Sequence, residues 1–308
     1  MLDRATGAIT HRHFADIVDL IPPGDVLVLN TSRVIAARLH GKRESGSAAE
    51  LLLVRALPDG TWLAMGHPGG KLKPGRRVQF GDDSAVEIVE VLGGGLRRIR
   101  FVGALDAQAT IAQYGEVPLP PYIRRPPTAA DRDRYQTVYA VHEGSVAAPT
   151  AGLHFTPALL ERVQAKGVAV ASLDLHVGPG TFKPVGAEYL DAHIMHPEVY
   201  EIPEATAVAV SAPASVCAVG TTVVRALESA ADERGRVRAG AGETSLFIRP
   251  PYEFKVIDRL LTNFHLPRST LLMLVCAFGG YEAVMGAYRE AVREGYRFYS
   301  YGDAMAII

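Results

Sequence analysis

The residues whose types suit chemistry are concentrated in six polar turns, most of which follow apolar segments. Their side chains include histidine, threonine, arginine and asparagine, which can transfer protons, bind anions or pair with hydroxyl groups. The turns comprise residues 30–33, 148–155, 175–182, 220–225, 262–267 and 299–303. Taken alone, each turn also fits a structural role, such as capping a helix or supplying a glycine conformation. Taken together, they are typical of an α/β enzyme, whose site is built from the ends of several elements.

The segments that must position these turns alternate between strand and helix at both ends of the chain. Residues 26–29 form a short apolar run that is typical of a strand buried on both faces, and polar residues follow it directly. In an open α/β sheet, ligands bind at the carboxyl ends of the strands, so we expect the polar turns to lie there. The other elements predicted in these parts are strands over 168–175 and 216–219, a helix from Pro157 with Thr156 as its N-cap, and helices over 221–231 and 281–293.

The middle of the chain has a different pattern, with short strands and turns and no predicted helix between residues 50 and 104. The strand-like runs are 51–57, 61–65, 77–80, 85–91 and 98–102, and glycine-rich or Asp-containing turns separate them. This spacing predicts a small antiparallel β-barrel, followed by a proline-rich connector over 118–127. The fold class is therefore a discontinuous α/β domain, 1–48 and 145–308, with an inserted antiparallel β-barrel domain, 49–144.

Composition excludes several classes of protein. The chain has 32 Lys plus Arg against 33 Asp plus Glu, so no excess of positive charge indicates a nucleic-acid binder, and any such role must depend on a local patch. Two cysteines, Cys217 and Cys276, are too few for a disulfide framework and lie in apolar runs, which favours a reducing cytoplasm. The apolar stretch 271–278 is far shorter than the roughly 18 residues that span a membrane.

Several catalytic motifs are absent from the sequence. It has no Gly-Lys-Ser/Thr of a phosphate-binding P-loop, no G-x-G-x-x-G after a strand, and no G-x-S-x-G of a hydrolase. His193 and His196 have a spacing that a metal site could use, but Pro197 follows at once and no acidic partner is fixed nearby. We therefore predict no metal site.

Longer strings of residues show a resemblance to one family. The chain resembles the S-adenosylmethionine:tRNA ribosyltransferase-isomerases of queuosine biosynthesis over essentially its whole length. The strings that carry the resemblance are residues 117–123, 146–156, 175–182, 218–222, 261–267 and 296–305. The family's usual Asn-Asp-Thr-Arg reads Asn30-Thr31-Ser32-Arg33 here, so an acidic side chain is lost and we assign no base at Thr31. Its usual Pro-Gly-Tyr reads Pro250-Pro251-Tyr252. The family also usually has a strand and an arginine-bearing turn before the position of Met1, which bears on how complete the substrate site is.

The resemblance implies a transferase that acts on tRNA. The family moves the ribosyl part of S-adenosylmethionine onto 7-aminomethyl-7-deazaguanine at the wobble position of tRNA, forms an epoxycyclopentane, and releases adenine and methionine. S-adenosylmethionine is then a co-substrate, the tRNA that carries the deazaguanine precursor is the partner, and neither a metal nor a membrane is implied. The sulfonium acidifies its neighbouring CH₂, so this reaction needs a general base there and a general acid near the departing adenine.

The resemblance also suggests roles for particular residues. His154 and His176 are the candidates for proton transfer, because imidazole titrates near neutral pH, and Glu228 is an alternative. Arg225 suits a carboxylate or phosphate, and Asn263 with His265 could bind the adenine edge or the ribose. Further substrate-binding candidates are Arg33, Thr150, Gly152, Gly178, Thr181, Thr221 and Thr222.

For tRNA, a modest basic excess is found in the barrel and its connector. The basic residues are Lys71, Lys73, Arg76, Arg77, Arg97, Arg98, Arg100, Arg124, Arg125, Arg132 and Arg134. Arg124 and Arg125 are our candidates for tRNA contact, and a solvated barrel face is an equally good interpretation. Two other functions stay open: a tRNA-binding module without catalysis, and another nucleoside-cleaving enzyme that acts on a small molecule. Adenine release distinguishes the first of these from the transferase, and a requirement for tRNA distinguishes the second.

Overall fold

The computed structural model describes residues 1–178, 180, 186, 190–193, 195–211 and 215–308, and it divides the chain into two units. One unit comprises Met1–Arg33, Gln136–His142 and Ala148–Ile308, and the other comprises Val34–Tyr135 and Glu143–Ala147. The first unit is an α/β fold made from both ends of the chain, and the second is an antiparallel β-barrel made from its middle. The predicted fold class is thus confirmed.

Within the described residues, the elements are numbered in chain order. The strands are β1 Val26–Asn30, β2 Ser32–Val34, β3 Arg38–Arg43, β4 Ala48–Ala56, β5 Trp62–His67, β6 Arg77–Gln79, β7 Ser84–Val91, β8 Leu96–Gly103, β9 Gly115–Glu116, β10 His142–Ser145, β11 Ala169–Leu175, β12 Glu198–Ile202, β13 Val216–Val219, β14 Gly240–Thr244, β15 Arg259–Asn263 and β16 Ala304–Ile307. The α-helices are α1 Ile17–Leu20, α2 Ala107–Tyr114, α3 Ala129–Arg134, α4 Pro157–Ala165, α5 Glu204–Ser211, α6 Thr221–Ala230, α7 Thr270–Gly279 and α8 Tyr281–Arg293.

The α/β unit contains a seven-stranded sheet with the order β14-β12-β11-β1-β13-β15-β16. The four central strands, β11, β1, β13 and β15, run parallel, and the outer strands are antiparallel to their neighbours. Every residue of β1 and β13 is buried, as their apolar runs predict for central parallel strands. Because the central strands are parallel, their carboxyl ends share one edge of the sheet, which we call the carboxyl edge.

Helix α4 of this unit begins at a residue whose side chain caps it. The hydroxyl of Thr156 accepts a hydrogen bond from the N–H of Leu159 at the start of α4, which confirms the predicted N-cap. Buried side chains such as Leu27, Phe155 and Leu261 form one hydrophobic core in this unit. In the part of the chain that the structure describes, no single helix has the length and apolar character to cross a membrane, although the bent pair α7 and α8 meets that test jointly.

The barrel unit closes on itself. Its strands follow the order β4-β5-β8-β7-β6-β3, and an additional pairing of β3 with β4 completes the ring. A separate core that includes Leu39, Leu51, Phe80, Ile88 and Ile99 fills it. Between residues 50 and 104 the helical segments are two short 3₁₀ turns, so the prediction that this part has no α-helix is confirmed.

The boundaries of the units differ from the predicted ones. The sequence placed residues 34–48 in the α/β domain, whereas the structure places them in the barrel unit. The physical reason is β3, which pairs with both β4 and β6 and closes the barrel. After the connector, the sequence placed residues 136–142 in the barrel domain, whereas the structure places Gln136–His142 in the α/β unit.

A buried arginine holds two turns of the barrel together. Arg97 on β8 is only 4% exposed. Its guanidinium donates to the carbonyls of Leu72 at 3.1 Å, Gly95 at 2.6 Å and Gly69 at 2.7 Å. Burial lowers the pKa of Arg97, and the three carbonyls compensate for the lost water.

We predict that Arg97→Met lowers the free energy of unfolding by about 3 kcal/mol, because three carbonyls lose a charged donor. Arg100→Met is the matched control on the same strand, since Arg100 is exposed. Urea unfolding of both variants measures the difference. Equal stability of the two variants would show that the Arg97 contacts contribute nothing beyond those of a surface arginine.

Candidate active site

Asn30 joins three elements at the carboxyl edge. The side chain at the end of β1 is fully buried, and its amide donates to the carbonyl of Leu175 at 3.0 Å and to the hydroxyl of Thr222 at 3.3 Å. Its oxygen accepts from the N–H groups of Ser32 and Leu175, both at 3.1 Å. These four bonds hold the end of β1 against the end of β11 and the start of α6. Asn30 was not among the predicted site residues.

The start of α6 is suited to bind an anion. Gly220, which precedes the helix, has φ of 90°, a conformation that favours glycine, and no side chain caps the helix. Thr221 and Thr222 follow it and are both buried. The first N–H groups of a helix lack partners inside the helix, and the helix dipole makes this end positive. The predicted residues Thr221 and Thr222 therefore lie at an anion-binding position at the carboxyl edge.

A buried ion pair lies one turn further along α6. The guanidinium of Arg225 donates through Nη1 to the carboxylate of Glu198, and both side chains are at least nine-tenths buried. Glu198 also accepts from the N–H of Gly178 at 2.8 Å, and Arg225 Nε donates to the carbonyl of Leu246 at 3.3 Å. Nη2 of Arg225 has no hydrogen-bond partner among the described residues. Arg225 is thus fixed in place with one donor still available.

On the other side of β13, two predicted residues contact each other. The hydroxyl of Thr150 donates to the amide oxygen of Asn263 at 2.8 Å. Asn263 is buried, and its Nδ2 has no partner within the described part of the chain. His265 Nε2 lies 2.7 Å from the hydroxyl of Thr262, and burial lowers the pKa of His265 to about 4. This imidazole is therefore neutral at physiological pH.

The two histidines predicted to transfer protons have different surroundings. His154 Nε2 lies 3.0 Å from the carbonyl of Gly302, and the ring stacks on Phe14 with centroids 4.8 Å apart. His176 follows β11 at the carboxyl edge, and its buried Nδ1 has no hydrogen-bond partner among the described residues. Burial is the largest cause that lowers the pKa of both imidazoles. His176 has the freer ring of the two, and His154 has contacts that also suit a structural role.

Glu228 lies away from the carboxyl edge. It is seven residues beyond Thr221, which on an α-helix is about 10 Å along the axis. Its buried carboxylate accepts from the N–H groups of Lys255 and Val256, each at 3.0 Å, and from the hydroxyl of Tyr252 at 3.3 Å. These hydrogen bonds anchor the segment before β15. Glu228 thus has contacts that suit a structural role, and its part in proton transfer stays a prediction.

Other predicted residues fall in varied places. Gly152 is packed so closely that a Cβ there would lie 2.0 Å from the hydroxyl oxygen of Tyr139, so this position requires glycine. Arg33 is exposed, and its guanidinium lies 3.5 Å from the carbonyl of Ala140. Thr181 lies outside the described residues.

The two predicted tRNA-contact arginines differ in their availability. Both belong to the barrel unit. Arg125 binds the buried carboxylate of Asp131 through two hydrogen bonds, of 2.6 and 2.8 Å, and holds its pKa well below the usual value. Arg124 is exposed. Arg125 is therefore engaged by a buried carboxylate of the protein, whereas Arg124 is available to a partner.

Sequence reasoning missed three further polar residues of this edge: Glu198, Asp174 and His142. Asp174 stands two positions before His176, so strand alternation could have placed both on one face of β11. Glu198 is 20 residues from Gly178 and 27 from Arg225, and no local pattern links them. Over the part of the chain that the structure describes, no group of three or more His, Cys, Asp or Glu residues is placed to hold a metal.

These features define an α/β enzyme with an inserted β-barrel, whose candidate site lies at the carboxyl ends of its parallel strands. The chain belongs to the family of queuosine biosynthesis proteins, whose family model matches residues 1–307. It is 49% identical to the S-adenosylmethionine:tRNA ribosyltransferase-isomerase of Trichlorobacter lovleyi, over 100% of this chain and 92% of that protein. It is 53% identical to the protein of the same name from Thermus thermophilus, over 97% of this chain and 89% of the relative. The crystal structure of S-adenosylmethionine tRNA ribosyltransferase from Thermotoga maritima matches with a TM-score of 0.54 and 37% identity, over 100% of this chain and 90% of that chain.

The pair formed by Glu198 and Arg225 predicts strong energetic coupling. Glu198→Gln or Arg225→Met alone should lower the free energy of unfolding by about 3 kcal/mol, because each leaves a buried charge without its partner. The double variant should lose at least about 1 kcal/mol less than the sum of the two. The exposed pair Glu44 and Arg76 serves as the control in the same urea experiment. A coupling energy no larger than that of the control pair would contradict the prediction.

Proposed function

We propose that this chain transfers and isomerises the ribosyl part of S-adenosylmethionine onto 7-aminomethyl-7-deazaguanine at the wobble position of tRNA, forming epoxyqueuosine-tRNA and releasing adenine and methionine. The observation that carries the proposal is the identity of about half of all residues, over the whole chain, with proteins named S-adenosylmethionine:tRNA ribosyltransferase-isomerase. The carboxyl edge supplies side chains of the types that this reaction needs.

S-adenosylmethionine carries an anionic carboxylate and an adenine ring that must both be held. The N-terminus of α6 and Nη2 of Arg225 are suited to the carboxylate, since the first N–H groups of a helix lack partners inside it and Nη2 has no partner among the described residues. The amide Nδ2 of Asn263 is suited to an acceptor nitrogen of adenine or to a ribose hydroxyl. An unpaired buried donor costs free energy in the empty protein, so a ligand that accepts its hydrogen bond gains that free energy on binding.

Two proton transfers are required, one from the CH₂ beside the sulfonium and one to the departing adenine. We assign these to His176 and His154, whose lowered pKa values keep both rings largely neutral at physiological pH. A neutral imidazole can accept the proton of the acidified CH₂. An imidazole that has taken up a proton can in turn donate it to the adenine nitrogen as the bond to the ribose breaks.

We predict that His176→Ala reduces adenine release by at least about 10²-fold while the melting temperature stays close to that of the wild type. His154→Ala should reduce adenine release as well, and should also lose about 1 kcal/mol of stability with its hydrogen bond to Gly302. Chromatography of adenine and thermal unfolding measure the two effects. His13→Ala is the control, because His13 is exposed. Full turnover of the His176 variant would remove this residue from catalysis.

The tRNA is proposed to bind in part through the basic face of the barrel unit. Several of the arginines in that unit are occupied within the protein: Arg97 is buried, and Arg76, Arg98 and Arg125 form ion pairs with Glu44, Asp59 and Asp131. Arg124 is exposed and is our candidate for a phosphate contact. Because cation–phosphate contacts release counterions, tRNA affinity should fall as salt rises.

We predict that Arg124→Ala weakens tRNA binding and makes its salt dependence less steep by about one counterion, without changing the affinity for S-adenosylmethionine. Filter binding over a salt series measures the tRNA affinity. Arg234→Ala is the matched control, because it removes one exposed arginine from the α/β unit. Arg125→Ala is unsuitable as a test, because it leaves the buried carboxylate of Asp131 without its partner. Unchanged affinity and salt slope in Arg124→Ala would contradict a phosphate contact at this residue.

One assay separates the proposed activity from its two alternatives. The protein is incubated with S-adenosylmethionine and with tRNA that carries the deazaguanine precursor, and adenine is measured. Release that depends on this tRNA supports the ribosyltransferase-isomerase. Release without tRNA favours another nucleoside-cleaving enzyme, and tRNA binding without release favours a non-catalytic module. We place the protein in the cytoplasm, where tRNA is modified and where its two buried free cysteines would stay reduced.

A further inference from the structure

A carboxylate that the assigned roles do not use lies at the carboxyl edge. Asp174, the penultimate residue of β11, has a side chain that is 12% exposed. One carboxylate oxygen accepts from the hydroxyl of Thr31 at 2.9 Å, and the other lies 2.7 Å from Nδ1 of His142. Two partners from separate segments of the α/β unit therefore fix the position of this charge.

Asp174 and His176 are two residues apart along an extended segment, so their side chains leave the backbone on the same side. The N–H of His176 bonds the carbonyl of Val199 at 2.9 Å, which continues the pairing with β12. Burial has the largest effect on the pKa of His176 and lowers it. The charge of Asp174 has the next largest effect and raises this pKa. His142 lowers the pKa of His176. Glu201 on β12, which pairs with Asp174 on β11, raises it, as Asp174 does. Asp174 is thus the anion with the largest effect on the pKa of His176, and it stands two residues away along the chain.

The contact with Thr31 connects this carboxylate to the neighbouring strand end. The Thr31 hydroxyl and the Asp174 carboxylate are in direct hydrogen-bond contact between the neighbouring strand ends of β1 and β11. An aspartate at position 31 would therefore reach the region that the carboxylate of Asp174 occupies. A carboxylate at either of these two strand ends would therefore lie in the same region of the edge.

We propose that Asp174 is a positioning residue of the active site, whose carboxylate is held by Thr31 and His142 and acts on the imidazole of His176. The proposal rests on the proposed function, because it assigns Asp174 a role through His176. It requires a carboxylate in the hydrogen bond between positions 31 and 174. Either of these two positions can carry that carboxylate.

The test removes the charge and then returns it from the other strand. Asp174→Asn keeps the size of the side chain and removes the charge, and Asp174→Thr removes the carboxylate altogether. The double variant Thr31→Asp with Asp174→Thr exchanges the two partners. The pKa of His176 is followed by NMR of histidine-labelled protein, and adenine release with precursor tRNA is followed over a pH series. His176→Ala identifies the resonance.

In both single variants, we expect the His176 titration and the corresponding limb of the pH–rate profile to move to lower pH, because the anion that favours imidazolium is gone. In the exchange variant, both should return towards their wild-type positions. His142→Ala should move the titration in the opposite direction, because His142 acts against Asp174 on the pKa of His176. Glu233→Gln, which removes an exposed carboxylate, is the control and should move neither.

The outcomes separate this proposal from the proposed function. If the wild type releases no adenine with precursor tRNA, the proposed function fails, and the NMR titration still tests whether Asp174 acts on His176. If the wild type is active but Asp174→Asn leaves both the titration and the pH–rate limb in place, the proposed role of Asp174 is overturned. Loss of activity in Asp174→Thr without recovery in the exchange variant would likewise contradict the idea that the carboxylate can be carried by either strand.

Discussion

The parallel pairing of β1 with β11 and β13 is the constraint on which the candidate site depends. Parallel strands bring their carboxyl ends to one edge, and every polar group there must be placed without disturbing a buried sheet. Asn30 solves this problem with four hydrogen bonds, each of which fixes the end of a strand or the start of α6. A buried amide that is fully paired in this way specifies one register, because a shift by a single residue would leave it unsatisfied.

Around that fixed edge, the protein keeps donors and charges in place before any ligand arrives. Nη2 of Arg225, Nδ2 of Asn263 and Nδ1 of His176 are buried and lack partners among the described residues. Such groups destabilise the fold, since their desolvation is not compensated. Enzymes accept this cost where preorganised dipoles stabilise a charge that develops during reaction. The ion pair with Glu198 serves the same end, because it fixes the guanidinium of Arg225.

Much of the fold followed from local sequence patterns. Apolar runs predicted β1 and β13, and Thr156 with Pro157 predicted the start of α4, because burial and capping act over only a few residues. The predicted boundary of the barrel domain was wrong, because it left out β3. That strand has polar residues at alternate positions, and its place in the barrel comes from pairing with β4 and β6, which local pattern does not encode.

For the site, the sequence by itself determined which turns carry polar side chains and that they follow buried strands, because strand alternation and turn chemistry are local properties. Only the tertiary structure decided which of those side chains meet. It joined Arg225 to Glu198 and Thr31 to Asp174, engaged Arg125 with Asp131, and assigned Glu228 to the backbone before β15. The strand-edge contacts among these depend on the register and order of the strands, which are set by hydrogen bonds between residues far apart in the chain.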